Sequence, residues 1–253
     1  MQPNAAVHAL ILSAGYATRM YPLTANTPKS LLPVGDRVVL DWMMDALQSL
    51  PMVEHIALVT NAKFAPHFTQ WVAERRFHTH IALINDGSTH DANRVGAIGD
   101  IALAIRQLRI TEPLLVSAGD HIVEWDLAQF IAFGQAHAPH ATIALYRLPD
   151  IREASKFGMV EVDAEQRVIH CEEKPAQPRS NLAMIALYYL PPAIFPRLQA
   201  YLASQQNTDA PGHFIVWLSR LEPVYGWASS GRYCDIGSLE SYRATCASIG
   251  DLE

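Results

Sequence analysis

The sequence contains little of what marks several classes of protein. Only three of its 253 residues are cysteines, at Cys171, Cys234 and Cys246, and this odd number without a C-x-x-C pair predicts neither a disulfide framework nor a zinc site. Charged residues are scarce at 17%, while 50% of the residues are apolar, which excludes a disordered chain. The net charge of −6 lacks the basic surplus of a nucleic-acid-binding protein. We therefore expect a soluble globular protein with free thiols.

No stretch of the sequence has the features of a signal peptide or of a membrane span. The N-terminal segment Met1–Ala6 carries no basic residue, and the apolar run Val7–Leu12 is too short for either. We expect a cytoplasmic protein that binds neither a membrane nor a nucleic acid. The sequence has no internal repeat, and it leaves open whether copies of the chain form a homo-oligomer.

Short apolar runs alternate with amphipathic stretches along the first 150 residues. The runs lack strict polar alternation and are predicted strands at Val7–Ser13, Ile56–Thr60, Ile81–Asn85, Leu114–Ala118 and Thr142–Tyr146. The amphipathic stretches are predicted helices at Val39–Leu50, Phe64–Arg76, Ala97–Leu108 and Leu127–Ala136. The alternation predicts a three-layer α/β fold around a Rossmann-like, mostly parallel sheet.

The pattern changes after Pro149. Phe157–Val162 and Arg167–Cys171 predict a β-hairpin, and Ala183–Leu190 predicts a further strand. Predicted helices follow at Ala193–Ser204, His213–Leu221 and Leu239–Ile249. Because no linker separates the two halves, we expect a single domain over residues 1–253 whose sheet is mixed in its second half.

The first predicted strand runs into a loop of small residues, SAGYATR, over Ser13–Arg19. Such a turn lets backbone N–H groups, here those of Ala14 and Gly15, approach an anion closely. The loop matches neither the G-x-G-x-x-G fingerprint nor the G-x-x-x-x-G-K-[ST] loop. Two cations follow, Arg19 and Lys29, and lysine is rare in this chain, with four in all. These residues are a candidate phosphate site.

The loop Ser13–Arg19 followed by PKSLLP at Pro28–Pro33 resembles the signature of the sugar-1-phosphate nucleotidyltransferases, a G-x-G-T-R loop followed by P-K-x-L-L-P. Further matches occur in the family's order, at Gly119-Asp120, Lys156–Val160, Glu173–Pro175 and Asp235–Gly237, so that the resemblance spans about residues 7–243. It implies a GT-A-like nucleotidyltransferase fold with a nucleotide-binding half at residues 1–150 and an acceptor-binding half at residues 151–253. It also implies an enzyme that transfers a nucleotidyl group from an NTP to a sugar 1-phosphate.

The resemblance implies a role for each matched residue on the nucleotide side. Arg19 and Lys29 would hold the triphosphate and stabilise charge on the leaving pyrophosphate. Asp120 and Asp235 would hold Mg²⁺, which usually keeps several waters and binds few protein carboxylates. A cation between the substrates suits this chemistry, because nucleotidyl transfer brings one anionic phosphate against another.

The resemblance also places the acceptor. Gly158 would offer its backbone to the sugar, Glu173 would accept hydrogen bonds from ring hydroxyls, and Lys174 would pair with the acceptor phosphate. Met184 lies in the segment that lines the same pocket. Because a residue before proline is pushed out of the α region, we expect an extended backbone at Lys174.

Three segments depart from the family pattern. Ala17 replaces the usual glycine, which preserves close approach to a phosphate unless the position requires a positive φ. Ile185-Ala186 replaces the usual Thr-Gly pair, which leaves the sugar undetermined. The usual Q-P…G-T-A segment is also absent. In its place Asn85, which has both a donor and an acceptor, is predicted to read a pyrimidine edge, and Gly96 to pack on the base.

Two other functions stay open at this point. The Asn85-Asp86 opening is similar to that of the choline-phosphate cytidylyltransferases, which would make the reaction a cytidylyl transfer to choline phosphate or a related ester. The chain would alternatively be a non-catalytic member that binds a nucleotide sugar as a regulator. The presence of all five charged residues, Arg19, Lys29, Asp120, Lys174 and Asp235, favours an enzyme. The sequence does not identify the NTP.

Overall fold

The computed structural model describes residues 6–229 and 231–250. Residues 1–5 lie outside the described residues. They make up most of the segment Met1–Ala6, for which the sequence predicts no signal peptide. Within them, no helix is long and apolar enough to cross a membrane.

Strands and helices alternate in the first half, and strands dominate the start of the second. The strands in the described part of the chain are β1 Val7–Ser13, β2 Pro33–Val34, β3 Arg37–Val38, β4 Val53–Thr60, β5 Ile81–Asn85, β6 Leu114–Ala118, β7 His121–Val123, β8 Ala141–Arg147, β9 Gly158–Val162, β10 Val168–Glu173, β11 Leu182–Leu190, β12 Val224–Ser229 and β13 Tyr233–Asp235. The α-helices are α1 Val39–Gln48, α2 Ala65–Ala73, α3 Ala97–Leu108, α4 Leu127–Ala136, α5 Phe195–Ala203, α6 Pro211–Leu218 and α7 Leu239–Gly250.

Nine of the strands form one mixed sheet. Its main path runs β10-β9-β11-β6-β1-β4-β5, and β8 and β12 continue from β11. The strands β6, β1, β4 and β5 are parallel, whereas β11 runs antiparallel to β6, β8 and β9. The second half of the chain therefore extends the parallel sheet of the first half, and the predicted mixed α/β fold is confirmed.

Helices cover both faces of the sheet, because the central strands are apolar on both faces. In β1, Leu10 packs on the side of α3, α5 and α6, and the next residue, Ile11, packs on the side of α1, α2 and α4. Both side chains are fully buried, and burying a leucine or isoleucine stabilises the fold by about 1.5–3 kcal/mol. This two-faced burial is why β1 reads as a continuous apolar run, and it holds the carboxyl ends of β1 and β6 side by side.

Some elements differ from their predictions. Helix α2 ends at Ala73 rather than Arg76, and α6 begins at Pro211 and ends at Leu218 rather than spanning His213–Leu221. Strand β12 has no predicted counterpart, because Gly226 interrupts its apolar pattern; it pairs in parallel with β8. Strands β7 and β13 were also not predicted, since each has only three residues.

Candidate active site

The loop after β1 is fixed by hydrogen bonds from neighbouring segments. Asn61 Nδ2 donates to the carbonyl of Ala14 at 2.8 Å, and Thr24 Oγ1 donates to the carbonyl of Ala17 at 2.8 Å. A Cβ on Gly15 would meet no atom within 4 Å, so the backbone there faces open space. The loop is therefore anchored by hydrogen bonds on its protein side and accessible to a ligand on the other.

Ala17 has a left-handed backbone, with φ 48° and ψ 41°. This is the condition under which alanine is not a neutral replacement for glycine, because the left-handed region costs an L-residue about 1–2 kcal/mol. We expect Ala17→Gly to raise the free energy of unfolding by about 0.5–1 kcal/mol in urea titrations, after the extra freedom of glycine in the unfolded chain is subtracted. Ala14→Gly is the control: Ala14 is buried without a positive φ, so this change should destabilise the protein. Equal effects of the two variants would contradict the prediction.

A short ladder brings two distant aspartates together. Asp120 follows β6, and β7 then pairs antiparallel with β13, so that Asp235 lies opposite His121. The Ile236 N–H donates to the carbonyl of Asp120 at 3.3 Å, which joins the two segments again. Lys29 Nζ forms an ion pair with Asp120 Oδ2, and its side chain is only 15% exposed. Asp120, Asp235 and Lys29 thus form one charged cluster at the carboxyl end of β6.

The two carboxyl groups of this cluster titrate in opposite directions. Burial acts to raise the pKa of Asp120, but the charge and hydrogen bond of Lys29 outweigh it, so the pKa is lowered. The pKa of Asp235 is raised by burial and by the charge of Asp120, against the opposing charges of Lys29 and Arg19. His121, which follows Asp120 in the chain, is buried against Ser117. Burial lowers the pKa of His121 to about 4, so this side chain is neutral at pH 7.

The donor set of the cluster fits a hard divalent cation. Burial and, after it, the charge of Asp120 raise the pKa of Asp235, and a cation between the two carboxylates would offset both effects. No group of three or more His, Cys, Asp or Glu side chains in the described ranges is suited to a metal ion. Mg²⁺ needs no such group, because one or two carboxylates with waters and substrate phosphates suffice.

A cavity of about 310 Å³ opens beside the cluster. Its lining includes Gly15, Arg19 and Lys29 of the predicted phosphate site but not Ala14, and it adds residues for which no role was predicted. The lining residues are Leu12, Ser13, Gly15, Tyr16, Ala17, Thr18, Arg19, Lys29, Ser30, Asp91, Arg94, Asp120 and Asp209. Gly15, Arg19, Lys29 and Asp120, which come from two separate loops, therefore share one cavity.

Asn85 and Gly96, which were predicted to contact the base, do not line this cavity. The Asn85 Oδ1 atom accepts a hydrogen bond from the Gly87 N–H at 2.9 Å, so the side chain closes a local turn. Gly96 has φ +83°, and a Cβ there would lie 2.5 Å from Thr208 Oγ1. The structure thus gives Gly96 a packing role against the segment before α6.

The residues predicted to bind the acceptor lie close together on the other side of the site. A Cβ on Gly158 would lie 2.8 Å from Glu173 Oε2 and 2.6 Å from Met184 Cε. Gly212, in the first turn of α6, approaches the same two atoms, at 2.3 Å and 3.1 Å by the same measure. Gly158, Glu173 and Met184 are thus brought together, and Gly212 joins them without having been predicted.

The expected extended backbone of Lys174 is wrong. Its φ is +49°, in the left-handed region. The end of the β9–β10 hairpin imposes this conformation, because the Lys174 N–H donates to the carbonyl of Phe157 at 3.0 Å while the chain turns away toward Pro175. The Lys174 side chain is 56% exposed, and its Nζ lies 3.6 Å from Glu173 Oε1. The ammonium group therefore stays next to the Gly158–Glu173–Met184 cluster.

Aromatic side chains pack next to Asp235. The Tyr233 ring lies 5.1 Å from Tyr146 and 6.4 Å from Phe157, measured between ring centroids. Trp125 joins them at 6.2 Å from Tyr233 and at 6.0 Å from Trp227. Since Phe157 immediately precedes Gly158, these rings border the residues that are predicted to bind the acceptor.

Comparison with known proteins gives the class of this protein, a nucleotidyltransferase. The family model described as "Nucleotidyl transferase" matches residues 8–251, and the chain belongs to this family. The chain is 27% identical over 236 residues to the bifunctional protein GlmU of Methanocaldococcus jannaschii, covering 90% of this chain and 51% of the relative. It is 26% identical over 253 residues to a glucose-1-phosphate adenylyltransferase of Clostridium novyi, covering 92% and 64%. The chain thus spans about half to two thirds of the length of these relatives.

Solved structures share the fold over nearly the whole chain. A Bacillus anthracis protein assigned as a glucose-1-phosphate thymidylyltransferase, in complex with sucrose, superposes with a TM-score of 0.83 at 20% identity, covering 98% of this chain and 97% of that one. A UDP-glucose pyrophosphorylase in complex with UDP-glucose gives a TM-score of 0.79 at 20% identity, covering 98% and 100%. The predicted family, a family of sugar-1-phosphate nucleotidyltransferase enzymes, is confirmed.

Proposed function

We propose that the chain transfers a nucleotidyl group from an NTP to a sugar 1-phosphate and depends on Mg²⁺. An oxygen of the acceptor phosphate attacks the α-phosphorus of the NTP, and the bond from that phosphorus to the bridging oxygen of the β-phosphate breaks. Pyrophosphate leaves with the electron pair, and a nucleoside diphosphate sugar forms. The observation that carries the proposal is the Asp120–Asp235–Lys29 cluster, of which Asp120 and Lys29 line the same cavity as the loop after β1.

The nucleotide side supplies the charges for this reaction. Arg19 and Lys29 bind the triphosphate and stabilise the negative charge on the departing pyrophosphate, while the backbone at Gly15 lies close to the phosphates. Mg²⁺ would be held by Asp120 and Asp235 and would neutralise charge on the phosphates of both substrates. Because Lys29 is paired with Asp120, the same lysine also fixes the position of that carboxylate.

The acceptor side binds and orients the nucleophile. Glu173 is 12% exposed beside Gly158 and Gly212, and it accepts hydrogen bonds from acceptor hydroxyls. Lys174 binds the acceptor phosphate and reduces the repulsion between the two anionic groups, which brings them into contact at a lower cost.

Pyrophosphate release tests the function directly. The purified protein with Mg²⁺ is given each of ATP, GTP, CTP, UTP and dTTP against a panel of sugar 1-phosphates, and pyrophosphate is measured by a coupled assay. We expect release with at least one pair and none without the acceptor. No release with any acceptor phosphate would refute the proposal.

Lys174→Ala separates the two sides of the site. Loss of a charge-assisted hydrogen bond worth about 1.5–3 kcal/mol should raise KM for the acceptor about 10- to 150-fold. The affinity for NTP, measured by titration without acceptor, should stay close to that of the wild type. Lys63→Ala is the control, because Lys63 Nζ donates to the carbonyl of Ala25 instead. A loss of NTP affinity at an unchanged acceptor KM would contradict the assignment.

A second candidate acceptor is choline phosphate, and the aromatic rings of Tyr146, Phe157 and Tyr233 favour it. Aromatic faces attract a quaternary ammonium group, and the neighbouring Asp235 adds negative charge. The same pyrophosphate assay with CTP decides between the two: release with choline phosphate and none with the sugar 1-phosphates would replace the primary proposal.

A further inference from the structure

One part of the cavity lining, called the rim below, is formed by Asp91, Arg94 and Asp209. Its arginine is fixed between the two carboxylates. Arg94 Nε donates to Asp209 Oδ1 at 2.9 Å, and its Nη2 donates to Asp209 Oδ2. The other terminal nitrogen, Nη1, donates to Asp91 Oδ1 at 2.7 Å. The guanidinium plane is therefore held from two directions, by a neighbour in sequence and by a residue before α6.

These bonds leave part of the guanidinium available. Of its five N–H groups, three are used within the described part of the chain, which leaves one on each terminal nitrogen. The Arg94 side chain is 40% exposed, and all three residues line the cavity. A planar donor pair with a fixed orientation recognises two neighbouring acceptor atoms.

The charge at this rim is unsuited to phosphates. One guanidinium faces two carboxylates, Asp91 and Asp209, so the formal balance is one positive against two negative charges. At the β6 end of the cavity, in contrast, Lys29 forms an ion pair with Asp120. The positive charge of Arg19 also reaches this end, since it favours the ionised form of Asp235. The triphosphate belongs at the end with Arg19 and Lys29, which leaves the Arg94 rim to the nucleoside.

The position of Arg94 in the chain agrees with this orientation. It lies between the turn after β5 and Gly96, the segment from which base contacts were expected. Asn85 in that segment accepts a hydrogen bond within its own turn and is absent from the cavity lining, whereas Arg94 lines the cavity. Thr208 packs on Gly96, and the next residue is Asp209, so contacts between the two halves of the chain hold the arginine in place.

We propose that Arg94 determines base specificity, through two N–H groups that pair with adjacent acceptors on the base. Guanine offers N7 and O6, and cytosine offers N3 and O2, whereas adenine, uracil and thymine alternate donors with acceptors on the edges that an arginine reads. The substrate is then CTP or GTP rather than UTP, dTTP or ATP. This inference rests on the proposed function and specifies its nucleotide.

Calorimetric titration without acceptor tests the inference. The wild-type protein with Mg²⁺ is titrated with CTP, GTP, UTP, dTTP, ATP and pyrophosphate. We expect CTP or GTP to bind about 5- to 150-fold more tightly than the other three. Arg94→Lys, which keeps the charge and removes the planar fork, should reduce this preference to within a factor of about three and leave pyrophosphate affinity unchanged. Asp209→Asn, which weakens the hold on the guanidinium, should reduce the preference in part.

Arg152→Lys is the matched control, because Arg152 also donates through Nε and Nη2 to one aspartate, Asp150, but does not line the cavity. This control should keep the wild-type preference, and all variants should unfold at the wild-type temperature within about 3 °C. A wild-type preference for UTP, dTTP or ATP, or a preference that survives Arg94→Lys, overturns the inference and leaves the proposed function intact. Failure of every nucleotide and of pyrophosphate to bind overturns both.

Discussion

Replacing Asp235 by asparagine should reduce turnover by about 10²–10³-fold while leaving the metal-free protein at least as stable as the wild type. The loss of turnover follows because one of two carboxylates proposed to hold Mg²⁺ disappears, and a group of this kind contributes about 2.7–4 kcal/mol to the transition state. The retained stability follows because the pKa of Asp235 is raised, so its ionised form is disfavoured in the folded state. Turnover is measured by pyrophosphate release, and stability by thermal unfolding in EDTA.

The sign of the stability change distinguishes this prediction from simple damage to the fold. A carboxyl group whose folded pKa lies above its unfolded value destabilises the protein as pH rises through the unfolded pKa, and asparagine removes that penalty. Asp45→Asn is the control, since Asp45 is 65% exposed and pairs with Arg37 away from the site. Turnover within tenfold of the wild type in a folded Asp235→Asn protein would refute the metal assignment.

The elements that the sequence predicted well are those that can be identified from their own residues alone. Strands β1 and β6 are buried on both faces, so their apolar runs identify them without knowledge of their partners. Strands β7 and β13 are different, because three residues form a strand only when a partner is present, and the partner lies far along the chain. The pairing of Asp120 with Asp235 was therefore expected only through the family resemblance.

Backbone conformations at the site were harder to predict than side-chain chemistry. Ala17 and Lys174 both have a positive φ, although alanine disfavours it and the proline after Lys174 predicts an extended conformation. In both places bonds to other segments determine the backbone, namely Thr24 on Ala17 and Phe157 on Lys174. Local propensity is a weak guide where tertiary contacts fix the chain.

Arg94 was not singled out from the sequence for a related reason. An arginine in a polar segment is usually solvated, and the nearby Asp91 alone does not indicate a fixed orientation. Its main partner, Asp209, lies 115 residues further along the chain. The charged residues of the two loops after β1 and β6 were identified because they form motifs, whereas the rim exists only in the folded chain.

Replacing Lys29 by methionine should reduce kcat/KM by about 10²–10³-fold for every NTP, because this cation is proposed to bind the triphosphate and is paired with Asp120. It should also lower the free energy of unfolding by about 1–3 kcal/mol, less than for a fully buried pair because Asp120 is 33% exposed.

The loss of turnover and the loss of stability separate in the double variant Lys29→Met/Asp120→Asn. Without the lysine, an ionised Asp120 is left beside Asp235, and asparagine removes that unpaired charge, so the double variant should regain most of the lost stability. Its turnover should stay as low as that of either single variant, because the cation proposed to bind the triphosphate and a proposed metal ligand are both gone. Chemical denaturation and pyrophosphate release measure the two quantities on the same four proteins. Two results would show that the Lys29–Asp120 contact is not the centre of this site: a double variant no more stable than Lys29→Met, or a Lys29→Met protein that retains more than a tenth of wild-type kcat/KM.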